Sequence, residues 1–142
     1  MKKFFIYLIL IVLLIQIIRP NKNRSETVSA TAIVAPENIQ IILDKSCNDC
    51  HSNNTNYEWY HNISPISWIV SLHVKDGKDH VNFDIWTSYN KDQKKHIIKD
   101  LKKSIETREM PLVGYLRVHP EAVISDEENQ ELLDWIATLK SE

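Results

Sequence analysis

Glycine is scarce in this sequence, and the scarcity excludes several kinds of binding site. Gly77 and Gly114 are the only glycines among 142 residues, so the glycine-rich loops that bind dinucleotides or nucleotide phosphates are absent. We find no internal repeat, no low-complexity tract and no convincing Ser/His/Asp arrangement for nucleophilic catalysis. The sequence therefore gives no sign of a nucleotide-dependent enzyme.

Positive charge is also in short supply over most of the chain. From Glu37 to Glu142 there are 12 Lys and Arg residues against 18 Asp and Glu residues, a net charge of −6. Proteins that bind nucleic acid usually carry a basic surface. We therefore expect no nucleic-acid partner.

Only one long apolar run is present, and it lies at the N-terminus. Residues 4–18 read FFIYLILIVLLIQII and follow two lysines. As a helix this run would rise about 22 Å, less than the roughly 30 Å of a bilayer core, so a signal segment and a short anchor both fit. Small residues suited to signal cleavage occur only at Ala30 and Ala32, well beyond the run. We therefore expect an uncleaved N-terminal transmembrane helix over residues 1–18.

The remainder of the chain divides into a spacer and one domain. Residues 19–36 are polar and small without helical periodicity, which predicts a flexible spacer. Residues 37–142 have the size of a single domain, and their apolar residues recur at helical spacing with no competing strand pattern. We expect an all-α domain of four helices, which start after Pro36, at Ser64-Pro65, near Asn90 and at Ser125.

Each predicted helix carries an apolar stripe and some carry end signals. Asn90 with Gln93, and Ser125 with Glu128, have the spacing of capping boxes, and Gly77 is expected to end the second helix. The stripes consist of Ile39, Ile42 and Leu43; Ile66, Ile69, Val70 and His73; Ile97, Ile98, Leu101 and Ile105; and Leu132, Trp135, Ile136 and Leu139.

The motif that carries chemistry is Cys47-Asn48-Asp49-Cys50-His51. This C-x-x-C-H sequence uses both cysteines of the chain and is the attachment signature of c-type haem. Two thiols three positions apart can add to the two haem vinyl groups, and the adjacent imidazole is then directed at the iron. The motif predicts one covalent haem, held by Cys47 and Cys50, with His51 as the proximal iron ligand.

Two other uses of a C-x-x-C pair remain open. Half of a zinc site is one, although zinc needs four ligands and the chain has no second C-x-x-C or H-x₃₋₅-H pair. A disulfide or redox dithiol is the other, although a thioredoxin-like pair belongs to an α/β pattern that this sequence lacks. Haem attachment takes place outside the cytoplasm. The motif therefore predicts a single-pass protein of the cytoplasmic membrane with its C-terminal domain on the periplasmic side.

The second axial ligand of the iron is predicted less directly. Met110 precedes Pro111 at the end of a helix, 59 residues after His51, where a thioether can reach the opposite haem face. His73 is the alternative distal ligand, and it is otherwise a core histidine or a partner of a haem propionate. The carbonyl of Pro65 is a candidate acceptor for the other ring nitrogen of His51, or Pro65 simply starts a helix.

The sequence also suggests roles for the other histidines and for the lysines of the third helix. His119 either bonds a propionate or marks a turn, while His61, His80 and His96 are expected to face solvent. Six lysines lie opposite the apolar stripe of the third helix and form either a solvated face or a docking surface for an acidic redox partner; they are Lys91, Lys94, Lys95, Lys99, Lys102 and Lys103.

The segments CNDCHS, NFDIW, EMPLVGY, HPEAVIS and ELLDW are spread over roughly residues 37–140. In these segments the sequence resembles a family of bacterial haem-binding domain proteins, and Tyr115 and His119-Pro120 match positions of that family's pattern. The chain is similar more broadly to mono-haem cytochromes c, which implies a small helical domain around one haem c. A tryptophan-bearing stretch, residues 57–89, replaces the glycine- and proline-rich middle of those cytochromes.

The expected function is one-electron transfer at the outer face of the cytoplasmic membrane, between redox partner proteins. With His51 and Met110 as ligands the iron would be six-coordinate, which suits an electron carrier that is not an enzyme. The alternative is a haem-based sensor or a peroxidase-like protein with an open or labile distal site. A haemless zinc or disulfide module is the third hypothesis.

Overall fold

The computed structural model describes residues 1–25, 27 and 29–140, and every regular element in these residues is helical. Short 3-10 helices occur at Trp59–Asn62, Phe83–Ser88 and Pro120–Ala122. The α-helices are α1 (Lys2–Ile15), α2 (Glu37–Ser46), α3 (Asn48–His51), α4 (Ile66–His80), α5 (Lys91–Glu106), α6 (Val113–Leu116) and α7 (Asp126–Thr138). The all-α class is confirmed, and the four predicted helices correspond to α2, α4, α5 and α7.

The apolar run at the N-terminus forms α1, which is shorter than a membrane span. It contains 14 residues, a rise of about 21 Å, whereas a transmembrane helix needs about 20 residues. Within the described residues, no helix combines the length and the apolar character needed to cross a bilayer. The expected transmembrane helix is therefore wrong, and so is the single-pass location in the cytoplasmic membrane that was predicted from it.

The end of α1 and the residues after it contact the rest of the chain. The side chain of Gln16 exchanges two hydrogen bonds of 2.9 Å with the backbone of Ser64, and the indole of Trp68 donates to the carbonyl of Ile18. Within the predicted spacer, the backbone N–H of Ile33 donates to the carbonyl of Phe83 at 2.8 Å. Residues 26 and 28 of the spacer, and 141 and 142 of the domain, lie outside the described residues.

Helices α2, α5 and α7 build the core, largely as their apolar stripes predict. Lys45 of α2 forms an ion pair with Glu128 of α7 at the edge of this core. Both predicted capping boxes are confirmed, at Asn90 with Gln93 and at Ser125 with Glu128. The buried apolar side chains of these helices are Ile39, Ile42, Leu43, Ile97, Ile105, Leu132, Trp135 and Ile136.

Helix α4 differs from its prediction in two ways. It continues to His80, so Gly77 lies inside the helix and does not end it. Its buried residues are Ser67, Val74 and Gly77, whereas Ile66 and Ile69 of the predicted stripe are 40% and 51% exposed. The reason is packing: α4 lies against α3, and at Gly77 the two helices are too close for a side chain. This arrangement brings α4 against the cysteine motif.

Candidate functional site

The cysteine motif lies where α2 gives way to α3. Cys47 separates the two helices, and its carbonyl accepts hydrogen bonds from the N–H groups of Cys50 and His51 at 3.1 and 3.0 Å. This tight turn places all three side chains in the wall of one cavity of about 190 Å³. The residues that the sequence predicts to act together are therefore brought together by the fold.

The imidazole of His51 has a fixed orientation. Its Nδ1 lies 3.0 Å from the carbonyl oxygen of Val81, which leaves Nε2 as the ring nitrogen available to a ligand. Burial lowers the pKa of His51, and the hydrogen bond to Val81 opposes that shift. In metal-bound histidines, a hydrogen-bond acceptor at the ring nitrogen that does not bind the metal normally fixes the tautomer. The suggested acceptor Pro65 is wrong, because its carbonyl accepts from the N–H groups of Trp68 and Ile69.

Met110 and His73 both line the cavity that contains the motif. A second cavity, of about 300 Å³, adjoins the first and is also lined by His51 and Met110. His73 lines only the first cavity and is exposed. Met110 therefore shares two of these cavities with His51, whereas His73 shares one.

The two thiols are poorly placed to ionise. Desolvation in the cavity wall, together with the neighbouring Cys50, raises the pKa of Cys47 to about 12. Burial and the carboxylate of Asp49 raise the pKa of Cys50 to about 11. A catalytic or redox cysteine has a lowered pKa, so this environment does not support the redox-dithiol hypothesis.

His119 is buried in a polar cluster and not exposed to the cavity. Its Nε2 lies 2.6 Å from the hydroxyl of Tyr60, and its Nδ1 lies 3.0 Å from Oε1 of Glu121. Both ring nitrogens are thus occupied, which leaves neither for a haem propionate. His61 is also buried, at 9% exposure, against the expectation that it faces solvent. Its Nδ1 accepts a hydrogen bond from the N–H of Glu58.

Sequence reasoning missed several residues of the site. Val81 was missed because a backbone carbonyl carries no sequence signal. His80 was assigned no role, yet it lines both cavities. His80 immediately precedes Val81, and the fold is needed to show that this segment lies beside His51. Gly77 was interpreted as a helix end, although its absent side chain is what admits Cys50.

The side chains that line the cavity suit a haem better than a bare metal ion. Two thiols and an oriented imidazole are the donors that a c-type haem requires, and the apolar side chains of Phe83, Leu101 and Ile105 share the wall. In the part of the chain that the structure describes, no group of three or more His, Cys, Asp and Glu side chains is placed to hold a metal ion. The zinc hypothesis therefore gains no support.

Comparison with known proteins gives one match. A family model described as a haem-binding domain matches residues 10–138, which is most of the chain and includes the motif, α4 and Met110. This match confirms the resemblance drawn from the sequence. Neither the curated proteins nor the solved structures contain a significant match.

Proposed function

Because the chain belongs to the haem-binding domain family, we propose that it holds one haem c, joined to Cys47 and Cys50 by thioether bonds, with His51 as the proximal iron ligand. The observation that carries this proposal is the single cavity whose wall contains both thiols and the imidazole. The carbonyl of Val81 supports it, because a hydrogen bond at Nδ1 directs Nε2 of His51 toward a metal.

We assign Met110 as the distal ligand. Its association with both cavities that His51 lines supports this assignment over His73. When bound, the haem supplies a one-electron Fe(III)/Fe(II) couple, and a thioether ligand raises its potential relative to a second imidazole. In this proposal the chain orients the imidazole, supplies the thioether and contributes apolar side chains to the wall of the site.

The proposed activity is one-electron transfer between redox partner proteins, by a carrier that is not an enzyme. With His51 and Met110 both bound to it, the iron would have no open position, which would favour electron transfer over binding of small ligands. The protein therefore needs no acid–base residue at the iron, and no such role is assigned.

The test is to produce the full chain together with a haem-ligation system. After denaturation and solvent extraction, the wild-type polypeptide should retain its haem, whereas a Cys47→Ala, Cys50→Ala double variant should release it. The weak far-red absorption band of iron–methionine ligation should be present in the wild type and absent from Met110→Ala. Leu112→Ala is the matched control, because Leu112 shares the cavity wall but has no donor atom. Release of haem from the wild type would refute covalent attachment.

A second candidate is a haem-based sensor or a peroxidase-like protein. The observation in its favour is that His73 and His80 both border the cavity, where an imidazole could act on a small ligand of the iron. This candidate requires an open distal position. Rapid binding of carbon monoxide by the reduced native protein, with no effect of Met110→Ala on the spectrum, would favour it over electron transfer.

A further inference from the structure

A series of aromatic rings leads from the cavity to the protein surface. Tyr115, which lines the cavity with both cysteines, stacks on His119 with 4.2 Å between ring centroids and 20° between ring planes. The Nε2 atom of His119 lies 2.6 Å from the hydroxyl oxygen of Tyr60. The rings of Tyr60 and Trp59 meet edge to face at 5.7 Å. We call these four residues the ring chain.

The inner end of the ring chain is joined to the cysteine motif. The hydroxyl of Tyr115 donates a hydrogen bond of 2.8 Å to Oδ2 of Asp49, and Asp49 is covalently adjacent to Cys50. Covalent bonds, hydrogen bonds and stacked rings therefore connect the proposed haem thioether with Trp59. Electron tunnelling weakens less steeply through such contacts than through a gap of the same length.

The middle of the ring chain is held in one arrangement. His119 is 7% exposed, and its two nitrogens are occupied by Tyr60 and Glu121. Hydrogen bonds at both nitrogens restrict rotation of this buried ring, while Tyr60 is partly buried and Glu121 is exposed. Rigidity matters because electronic coupling depends steeply on the distances between groups.

The outer end of the ring chain is an exposed apolar residue, Trp59. Trp59 is 73% exposed, and Ile63 and Ile66, which follow it in the chain, are 42% and 40% exposed. Tryptophan is enriched in protein–protein contacts and in the residues that dominate their energy. Because Trp59 is connected to the cavity through the ring chain, an electron could pass between a partner bound at Trp59 and the interior.

Resting on the proposed electron-transfer function, we propose that the ring chain is the electron route of this protein and that its redox partner docks over Trp59. The partner is a redox protein with an apolar contact surface around its own redox centre. The step moves one electron: the iron and the partner's centre change oxidation state by one in opposite directions. No bond forms or breaks, and no proton moves. The rival entry point is the lysine-rich face of α5, which would suit an acidic partner.

The experiment attaches a photosensitiser either at position 59 or, in a separate variant, on the lysine-rich face of α5. With both native cysteines bound to haem, a Trp59→Cys variant has a single free thiol for a ruthenium label, and a Lys99→Cys variant provides the control label on α5. Flash photolysis of the full haem-loaded chain then gives the rate constant between label and haem. We expect faster transfer from position 59 than from position 99.

Two further substitutions test the route itself. In the Trp59→Cys background, Tyr60→Leu removes a ring and should lower the rate constant severalfold. Tyr60→Phe keeps the ring, removes only the hydrogen bond to His119 and should lower it less. In the Lys99→Cys background, neither change should alter the rate constant, and the midpoint potential should stay constant throughout.

A haem-independent measurement checks that the ring chain exists. The ¹⁵N resonance of His119 Nε2 in the full chain should shift when Tyr60→Phe removes its hydrogen bond. An unchanged resonance, an unchanged rate from position 59 with Tyr60→Leu, or faster transfer from position 99 would each overturn the proposed route. If the loaded wild-type protein shows no reversible one-electron couple, the proposed function fails, and the route fails with it.

Discussion

Gly77 of α4 lies directly against Cys50: a Cβ built on the glycine would be 2.8 Å from the carbonyl oxygen of Cys50 and 3.1 Å from its Cβ. The first distance is shorter than any ordinary contact, and the atom it meets is backbone, which cannot rotate away. The absence of a side chain at position 77 is thus what allows α4 to pack on the cysteine motif.

We predict that Gly77→Ala destabilises the protein. Alanine is favoured over glycine in a helix by about 1 kcal/mol, but forcing a methyl group into a filled space costs about 1–3 kcal/mol, so the packing cost should prevail. Gly114→Ala is the matched control, because nothing lies within 4 Å of its added Cβ, and this variant should gain stability. Urea unfolding of both variants measures the difference. Equal gains for both would show that α4 can move away from Cys50.

Tyr115→Phe should weaken the link between α6 and the cysteine motif. Burial raises the pKa of Tyr115 most, and the hydrogen bond to Asp49 raises it further, so the hydroxyl remains a donor at neutral pH. Loss of this hydrogen bond should lower the free energy of unfolding by about 1 kcal/mol. Tyr7→Phe, on exposed α1, serves as the control and should have no effect. The prediction is wrong if the two variants unfold alike.

His61 should make stability depend on pH. Burial lowers its pKa, the neighbouring His119 adds to this, and the carboxylates of Asp49 and Glu58 oppose it. With a folded-state pKa below the unfolded value of about 6.5, the unfolded chain binds a proton first as the pH falls. The free energy of unfolding should therefore decrease as the pH is lowered through about 6.5 and level off below the folded-state pKa.

The matching variant is His61→Gln, whose side-chain oxygen can still accept from the N–H of Glu58. Its stability should fall less than that of the wild type between about pH 7 and 5. His96→Gln, at an exposed position on α5, should retain the wild-type profile. Parallel curves for His61→Gln and the wild type would assign the pH dependence to other groups.

The ion pair between α2 and α7 should contribute modestly at neutral pH. The hydrogen bond from Lys45, then that from the backbone of Ser125, lowers the pKa of Glu128. Glu128→Gln keeps an acceptor for the capping box but removes the charge, and it should cost up to about 1 kcal/mol. Because the pKa of Glu128 is lower in the folded state, its carboxylate stabilises the fold at pH values above the unfolded-state pKa of about 4.3. This stabilisation is lost as the pH falls through the folded-state pKa.

Thermal unfolding at neutral and at acid pH measures this effect, because the difference between Glu128→Gln and the wild type should vanish in acid. Glu106→Gln is the control, since its pair with Lys102 is more exposed, with side chains 51% and 59% accessible, and should contribute less. A gap for Glu128→Gln that persists in acid would point to altered packing.

The parts of the fold that were predicted correctly depend on neighbouring residues. Helix α7 was located because Ser125 and Glu128 are three residues apart and form the whole capping box themselves. The buried face of α4 was mispredicted because contact with α3 selects small side chains, so hydropathy marked the exposed isoleucines. The transmembrane assignment of α1 is wrong because the apolar run, although strongly hydrophobic, is shorter than a membrane span.

The residues of the candidate site can likewise be separated into those that the sequence reveals and those that only the fold reveals. Cys47, Cys50 and His51 are contiguous, and their chemistry can be recognised without a fold. Val81 lies 30 residues from His51, and its carbonyl resembles every other carbonyl in the sequence. His61 and His119 become buried only because the segment around Trp59 folds onto the segment after Met110, a contact that no local pattern predicts.

Burial of Cys47 and Cys50 also bears on the stage at which a haem could be attached. Burial raises the pKa of both thiols, and protonated thiols are weak nucleophiles. Gly77 of α4 lies against Cys50 with no room for a side chain between them. If the proposed thioether bonds form, we therefore expect the unfolded chain to react with haem more readily than the folded one.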